Sequence, residues 1–380
     1  MSCSIPAGRS FWRRVAVRIR RALASGLLVP AAAALVLAGG GPVAAQAPEP
    51  GLVVLALPAT SWGVGLGLQD FVITASRTRP DGARSIAAER PAANMFLSAL
   101  IVPAPAGDSA RACRDAFWQR LKDVWQVLKD GPGKASYRDV RQSEAGDMAS
   151  TDYVIEEMQG LRIDQRHLHT YFARDGSCIE VHLSKTLFEP NDEELFASVL
   201  RTVRLLDISS APAGPVARTY RVSRGDAVAL MVPPPWQDDF PGGRGNAGPT
   251  LTLTPATTKD ISFVMTVLVP PPGRRDGSYN TPDALRKRTE AAAQGMLAEA
   301  VESKLEIDEI KGPEMAGFLF TATDKKPTLG PGEFRRITHA QAALRDVMLS
   351  VSLFSQAPGT AEYAAALEVL KSARLLAAPL

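Results

Sequence analysis

The 380-residue chain has few of the residues and motifs that usually mark a reaction. Only 6% of its residues are aromatic, and it contains three cysteines and four histidines. The motifs G-x-S-x-G, H-E-x-x-H and Walker A do not occur, so the common signatures of serine hydrolases, zinc proteases and P-loop nucleotide enzymes are missing. We therefore expect a protein without enzymatic activity and without a cofactor.

An excess of charge of one sign is missing as well. The chain has 43 Lys and Arg against 40 Asp and Glu, which gives a net charge of +3. Six arginines and no acids lie in the first 45 residues, so the remainder carries 3 − 6 = −3. No block of five like charges follows, which argues against nucleic acid as a partner. No later stretch reaches about 18 apolar residues, so no further membrane span is expected.

The first 45 residues have the pattern of a secretory signal peptide. A basic region precedes the apolar segment 22–37, and small residues follow it. Cleavage after Ala45 is preferred to cleavage after Ala47, because Pro48 would directly follow the second cut. An uncleaved anchor and twin-arginine export are the alternatives. The sequence therefore predicts a periplasmic or secreted protein.

An internal repeat is the strongest pattern in the chain. Residues 178–206 align without a gap to residues 348–376, at a constant offset of 170, and both segments close on Arg-Leu-Leu. Upstream, Phe96 matches Phe263 at an offset of 167, and Trp62 matches Trp236 at an offset of 174.

These offsets predict two copies of one domain, 48–207 and 218–377. The linker 208–217 is rich in Pro, Gly and Ser. Each copy shows apolar strands, a long amphipathic helix, several strands and a last helix, which is the pattern of an α+β domain. The predicted helix N-caps are Asp108, Asp192, Thr281 and Thr360.

Two glycine patterns receive structural interpretations. The alternating glycines of segment 63–67 indicate a strand edge or a bulge. Segment 243–248 satisfies G-x-G-x-x-G, but a strand follows it rather than the helix that a dinucleotide site needs. We interpret it as a flexible hairpin loop.

The order of elements in each copy resembles that of a known family. An apolar strand at 228–232 leads to Pro233 and Trp236, a strand-Pro-loop-helix unit follows, and the copy closes on Arg-Leu-Leu. This order is similar to that of the Mog1/PsbP-like domain. The resemblance implies two tandem α/β/α sandwiches, each with a mostly antiparallel central sheet, a long helix and a C-terminal helix. It implies a binding or assembly module more often than an enzyme, and it supplies no catalytic residue.

Two cysteines, Cys113 and Cys178, lie beyond the predicted signal peptide. In an oxidising compartment, pairing is the default. The second copy has apolar residues near Leu285 and at Met348 instead, so both cysteines are present in one copy and absent from the other. This favours a disulfide between the long helix and a hairpin strand. Two buried free thiols and a nucleophilic cysteine are the alternatives.

Three of the four histidines fall in one predicted hairpin. A type I′ turn at Asp175-Gly176 places His169 opposite His182 and His167 opposite Ser184. Glu180 would share this face, so the four side chains His167, His169, His182 and Glu180 are candidate ligands of a divalent metal. The alternative, which we prefer, is a set of polar residues on the less buried face of the sheet.

These observations favour a non-enzymatic, exported envelope protein that acts as a binding or assembly module. Its partner would be an unknown envelope protein or a small ligand. A metal-binding protein or metal-dependent hydrolase that uses the hairpin histidines is the alternative function. A purely structural envelope protein is a third possibility.

Overall fold

The computed structural model describes residues 51–58, 60–103, 108–130, 135–158, 160–211, 214–242, 248–270 and 277–377. For residues 125–130 and 135 only the backbone is described. The predicted signal peptide and residues 243–247 of the glycine-rich loop lie outside these ranges.

The described part of the first half has two helices and ten strands. In chain order they are β1 (Leu52–Leu55), β2 (Trp62–Gly67), β3 (Val72–Thr78), β4 (Arg84–Arg90), β5 (Met95–Pro103), α1 (Ala110–Asp130), β6 (Ala135–Ala145), β7 (Met148–Met158), β8 (Leu161–Arg174), β9 (Ser177–Lys185), α2 (Asp192–Leu200) and β10 (Arg204–Asp207).

The described part of the second half has the same kinds of element in the same order. They are β11 (Val216–Arg221), β12 (Asp226–Val232), β13 (Trp236–Asp239), β14 (Thr250–Pro255), β15 (Ile261–Leu268), α3 (Pro282–Met296), β16 (Asp308–Lys311), β17 (Met315–Thr323), β18 (Arg336–Leu344), β19 (Val347–Ser355), α4 (Ala361–Lys371) and β20 (Arg374–Ala377). The fold is a mixed α+β fold dominated by sheet, as predicted.

The strands of the described residues form three sheets. One has the order β1-β2-β10, one the order β20-β12-β11-β3-β4-β5-β9-β8-β7-β6, and one the order β13-β14-β15-β19-β18-β17-β16. Adding ten to each strand number converts β1-β2-β10 into β11-β12-β20. The same operation converts the run from β3 to β6 into the seven-stranded sheet. The ten-stranded sheet forms because β11 pairs in parallel with β3, at Tyr220 and Ile73.

The hydrophobic core runs through both halves. One cluster of buried side chains includes residues of all three sheets and of helix α2, among them Trp62, Val64, Phe196, Trp236 and Phe263. In the second half, Thr281 and Thr360 cap α3 and α4 as predicted. Their Oγ1 atoms accept hydrogen bonds from the backbone N–H of the third residue of each helix, Ala284 and Tyr363.

Two predicted caps are wrong by one residue. Helix α1 is capped by Ser109, whose Oγ accepts from the Ala112 N–H, rather than by Asp108. Helix α2 follows Asn191, while Asp192 turns back and accepts from the Glu189 N–H. Short polar side chains compete for these positions, so their order along the chain does not settle which one caps.

The glycine-rich strand β2 corrects a further prediction. It lies in the middle of its sheet and pairs without a register shift on both sides, so it is neither an edge nor a bulge. A Cβ on Gly65 would lie 2.8 Å from Leu206 Cδ2, and one on Gly67 would lie 2.8 Å from Thr202. Glycine is required at these positions because the side chains of Leu206 and Thr202 occupy the space that a Cβ would need.

The strand pairings also correct two upstream matches of the repeat. Leu97 pairs with Leu183, and Phe263 pairs with Leu353, so Phe263 corresponds to Leu97 and not to Phe96. Trp62 lies in β2, whereas Trp236 lies in β13, which occupies the position of β3. Loops of different length shift such matches, and a single identity does not fix a register.

Candidate functional site

The predicted histidine hairpin forms as expected but is deeply buried. Asp175 and Gly176 both have positive φ, and His169 faces His182 across the strands. His167, His169 and His182 are each 2% exposed or less. The expectation of a less buried face is wrong, because helix α1 lies across this face of the sheet.

Aromatic side chains of α1 close this face. Phe117 packs against Tyr171, and Trp118 packs against Tyr153, with both pairs of ring centroids 5.7 Å apart. On the sheet, Tyr153 stacks on His167 at 5.1 Å, and His169 stacks on Tyr171 at 5.6 Å. We call the set His167, His169, His182, Glu180, Tyr153 and Tyr171 the polar layer.

Two hydrogen bonds orient the imidazoles of the polar layer. His169 Nδ1 lies 2.6 Å from Glu180 Oε1, and His182 Nδ1 lies 2.8 Å from Ser98 Oγ. Burial, reinforced by Glu180, raises the pKa of Tyr171 well above its usual value, which keeps the phenol neutral. Among the described residues, no group of three or more His, Cys, Asp and Glu side chains is arranged to hold a metal ion.

A disulfide fastens α1 over the polar layer. The sulfur atoms of Cys113 and Cys178 lie at bonding distance, with the Cα atoms 5.6 Å apart. Both cysteines are buried and pack with Tyr171 and Phe117. The bond joins the first turns of α1 to β9, as the sequence predicts.

The second half holds different residues at the same places. The pairings of β18 with β19 place His339 at the position of His169 and Ser352 at that of His182. At the positions of His167 and Tyr171 are Ile337 and Gln341. Under α3 the chain packs Phe320, Ala322 and Ile337, so this face is mainly apolar.

His339 is the one imidazole that the second half retains. Its Nδ1 lies 3.2 Å from Ser352 Oγ, and its Nε2 lies 2.8 Å from Gln341 Nε2. Burial lowers its pKa to about 4, so the ring is neutral at pH 7. The polar layer is therefore a property of the first half and not a requirement of the fold.

A buried ion pair lies where the two halves meet. The Arg218 guanidinium is fully buried, pairs with the Asp238 carboxylate, and donates to the carbonyls of Trp236 and Pro234. Tyr220 donates to Asp238 Oδ2 at 2.9 Å. Burial and the neighbouring Asp238 carboxylate raise the pKa of Tyr220 well above its usual value.

The first half binds to the backbone of this strand. Arg84 and Ser76 both donate to the Asp238 carbonyl, at 2.8 Å and 3.0 Å. Ser76 and Phe240 exchange two backbone hydrogen bonds, each 2.7 Å long. Gln237 of the second half in turn binds the backbone of the first half, because its side-chain amide accepts from the Ala56 N–H and donates to the Val54 carbonyl. Side chains of each half thus bond to the backbone of the other.

An open groove of about 540 Å³ lies on the outer face of β11, β12 and β20. Its floor is mainly apolar, and Met231 and Leu376 are 40% and 41% exposed. Arg374, Lys371 and Glu368 stand at its rim. The residues that form it include Ala217, Thr219, Ala229, Met231, Arg374 and Leu376. We call this set the outer groove.

The corresponding face of the first half is closed. Leu52 pairs with Gly67 as Ala217 pairs with Met231, and Val54 pairs with Gly65 as Thr219 pairs with Ala229. Leu52 and Val54 are at most 1% exposed, and they pack with Leu206 and with Val216, the first residue of β11. Leu206 and the second half thus close this face of the first half, whereas the smaller Ala217 and Thr219, at the positions of Leu52 and Val54, line the open groove.

Sequence reasoning missed both the buried ion pair and the outer groove. One signal for the pair was available in the alternation along β11. Arg218 and Tyr220 fall on the same side of the strand as the apolar Val216, which is the core side. No comparable signal marks Asp238, which is buried by the first half, or the outer groove, which depends on strands far apart in sequence.

None of the helices in the described ranges is long and apolar enough to cross a membrane.

No protein-family model matches the chain. No curated protein matches it either. Among solved structures, part of the chain is similar to the solution structure of cyanobacterial PsbP (CyanoP) from Synechocystis sp. PCC 6803, with 13% identity and a TM-score of 0.31. The alignment covers 44% of this chain and 98% of the cyanobacterial one.

Proposed function

We propose that the protein is an exported binding or assembly module built from two tandem copies of one PsbP-like sandwich. The copies are 48–207 and 218–377, and the linker 208–217 joins them. The identical strand order of the two halves supports this proposal, as does the offset of 170 that relates their last strands. The export signal in the first 45 residues is part of the proposal.

The contact between the halves supports an arrangement in which an approximate twofold axis relates the two copies. Continuing β13 by one residue places Phe240 at the position that Ser76 has in β3. These two corresponding residues bond to each other, which is the arrangement found at the twofold axis of a homodimer. We infer that the chain is a fused counterpart of such a dimer, whose halves have since diverged.

The two copies differ in which of their surfaces are open to a ligand. In the first copy the outer sheet face is closed and the polar layer lies under a disulfide-bound helix. In the second copy the same sheet face is open as the outer groove. An apolar concavity of this size with a few polar groups at its rim is typical of a binding site. This difference between corresponding faces is the observation that carries the proposed binding function.

An anionic, apolar dye tests whether the outer groove binds. We expect 8-anilinonaphthalene-1-sulfonate to bind the purified protein at one site, measured by fluorescence titration. The double variant Met231→Asp/Leu376→Asp places two charges on the floor and should weaken binding at least tenfold. Leu161→Asp, at a leucine that is 69% exposed on β8, is the matched control. Equal binding by all three proteins would contradict the proposed function.

A further inference from the structure

Strand β20 is less protected than the outer strands β6 and β16 of the two large sheets in the described chain. At the other end of the same sheet, β6 carries two register shifts, a positive φ at Asp139 and exposed charges. The outer strand β16 has three charged residues among its four. Bulges and charges of this kind prevent another strand from pairing at an edge. β20 pairs regularly with β12, has one charged residue, and exposes Leu376 and Ala377.

The first copy shows what a protected version of this strand looks like. β10 has the position of β20, and its last residue is Asp207 where β20 has Ala377. Asp207 pairs with Arg174 at 3.4 Å. Beyond Asp207 the chain turns, and the Ile208 N–H bonds to the Ser61 carbonyl. The second copy has lost the charge that guards this edge.

The outer groove borders the same strand. The groove-facing side chains of an added strand would lie beside Arg374 and Leu376 of β20, at the edge of the floor, and Ala229 and Met231 of β12 lie one strand further in. An extended segment with an apolar residue at every second position fits such a surface, because successive side chains point to opposite faces.

The charge at the rim selects among such segments. Arg374 is exposed, and no carboxylate of the described residues forms an ion pair with it. Lys371, the other cation at the rim, is paired with Glu368 at 2.7 Å. Arg374 is thus the cation available to a ligand, and an acidic residue is its complement.

We propose that the outer groove binds an extended, acidic segment of a partner protein, which adds to β20 as a further strand. Apolar residues on the groove-facing side of the segment pack against Leu376, and an Asp or Glu on the same side pairs with Arg374. This inference rests on the proposed function, since it names the ligand of the same groove.

Synthetic peptides test the inference directly. Three twelve-residue peptides are titrated against the purified protein by fluorescence anisotropy. The Val-Glu peptide alternates Val with Thr and has Glu in place of one central Val, so that this Glu lies on the same face as the other Val residues. The Val-Lys peptide has Lys at that position, and the third peptide is the Val-Glu peptide with its two central Thr residues replaced by proline. We expect the Val-Glu peptide to bind at least tenfold more tightly than either of the others. Proline removes the backbone donors that a new strand needs.

A charge reversal provides the matched variants. Arg374→Glu should invert the preference, so that the Val-Lys peptide binds more tightly than the Val-Glu peptide. Arg224→Glu changes the net charge equally on the exposed turn between β11 and β12, and it should leave the preference unchanged.

Each outcome has a distinct meaning. Dye binding at the groove without peptide binding would overturn this inference and leave the proposed function standing. If the purified protein binds neither the dye nor the peptides, the proposed function is overturned. Equal binding of all three peptides would also overturn the inference. Concentration-dependent dimers in sedimentation, lost in Leu376→Asp, would identify a second copy of the chain as the occupant instead of a partner protein.

Discussion

The buried Arg218–Asp238 ion pair, which lies where the two halves meet, gives the sharpest stability prediction. Asp238→Ala leaves the Arg218 guanidinium fully buried without its carboxylate, and it leaves Tyr220 without an acceptor. Removing one partner of a buried pair costs about 3–5 kcal/mol, because the remaining charge stays desolvated. We expect the free energy of unfolding to fall by this amount.

The assay is urea unfolding followed by tryptophan fluorescence and by far-UV circular dichroism. Trp62 and Trp236 are both buried in the core that the two halves share, so the two signals should shift together. Glu89→Gln is the matched control. It removes a pair with Arg221 that is partly exposed, and it should cost at most about 1 kcal/mol.

The first half shows how the pair is replaced without a charge. The residues that correspond to Arg218, Tyr220 and Asp238 are Val53, Leu55 and Ile73, which are all apolar. A triple variant Arg218→Met/Tyr220→Phe/Asp238→Leu should therefore recover most of the stability that Asp238→Ala loses. The reasoning is refuted if Asp238→Ala costs less than about 1 kcal/mol, or if the triple variant is as unstable as the single one.

Three further predictions concern the first-half disulfide, His339 and metal binding. Replacing Cys113 and Cys178 by serine opens a loop of 65 residues and should lower the free energy of unfolding by about 4 kcal/mol in urea titrations; an unchanged midpoint would contradict this. The pKa of His339 is about 4 in the folded chain against 6.5 for the unfolded one, so the unfolded chain binds more protons between these values. Stability should fall by at most about 3 kcal/mol as the pH drops from 6.5 to 4, and His339→Gln, compared by urea titration at both pH values, should remove this part of the loss. Calorimetry with zinc should show no site tighter than micromolar, whereas a nanomolar site lost in His182→Ala would support the alternative metal-binding function.

Local patterns in the sequence predict much of the fold. The helix caps at Thr281 and Thr360 and the hairpin at Asp175 follow from chemistry within a few residues, and the structure contains them. The pairing of His169 with His182 follows from that turn, because the turn fixes the register of both strands. Such features need no knowledge of the rest of the chain.

Features that depend on distant strands do not follow from the sequence. The burial of the histidine face required knowing that α1 lies on it. The glycines of β2 looked like a break in a strand, because Leu206 and Thr202, which pack against them, are more than 130 residues away. The parallel pairing of β3 with β11 joins the halves at Ile73 and Tyr220, and neither residue has a local sign of it.

The candidate sites divide in the same way. Four residues of the polar layer, His167, His169, His182 and Glu180, follow from the hairpin register, whereas Tyr153 and Tyr171 were not found. The pairing of Cys113 with Cys178 was found from their joint absence in the second half. The outer groove was not found, because its opening depends on the sizes of residues in neighbouring strands. The difference between the two halves becomes visible only when corresponding residues are compared by strand register.

The most direct test places the large residues of the closed first-half face in the second half. The variant carries Ala217→Leu and Thr219→Val, which are the residues at the corresponding positions of the first half, and it keeps Met231 because removing this side chain would open the groove further. Dye binding by this variant is measured by fluorescence titration, and its fold is checked by far-UV circular dichroism. We expect a native spectrum with dye binding weakened at least tenfold, because the larger side chains fill the groove. A native spectrum with full dye affinity would contradict the claim that the open face of the second copy is the binding site.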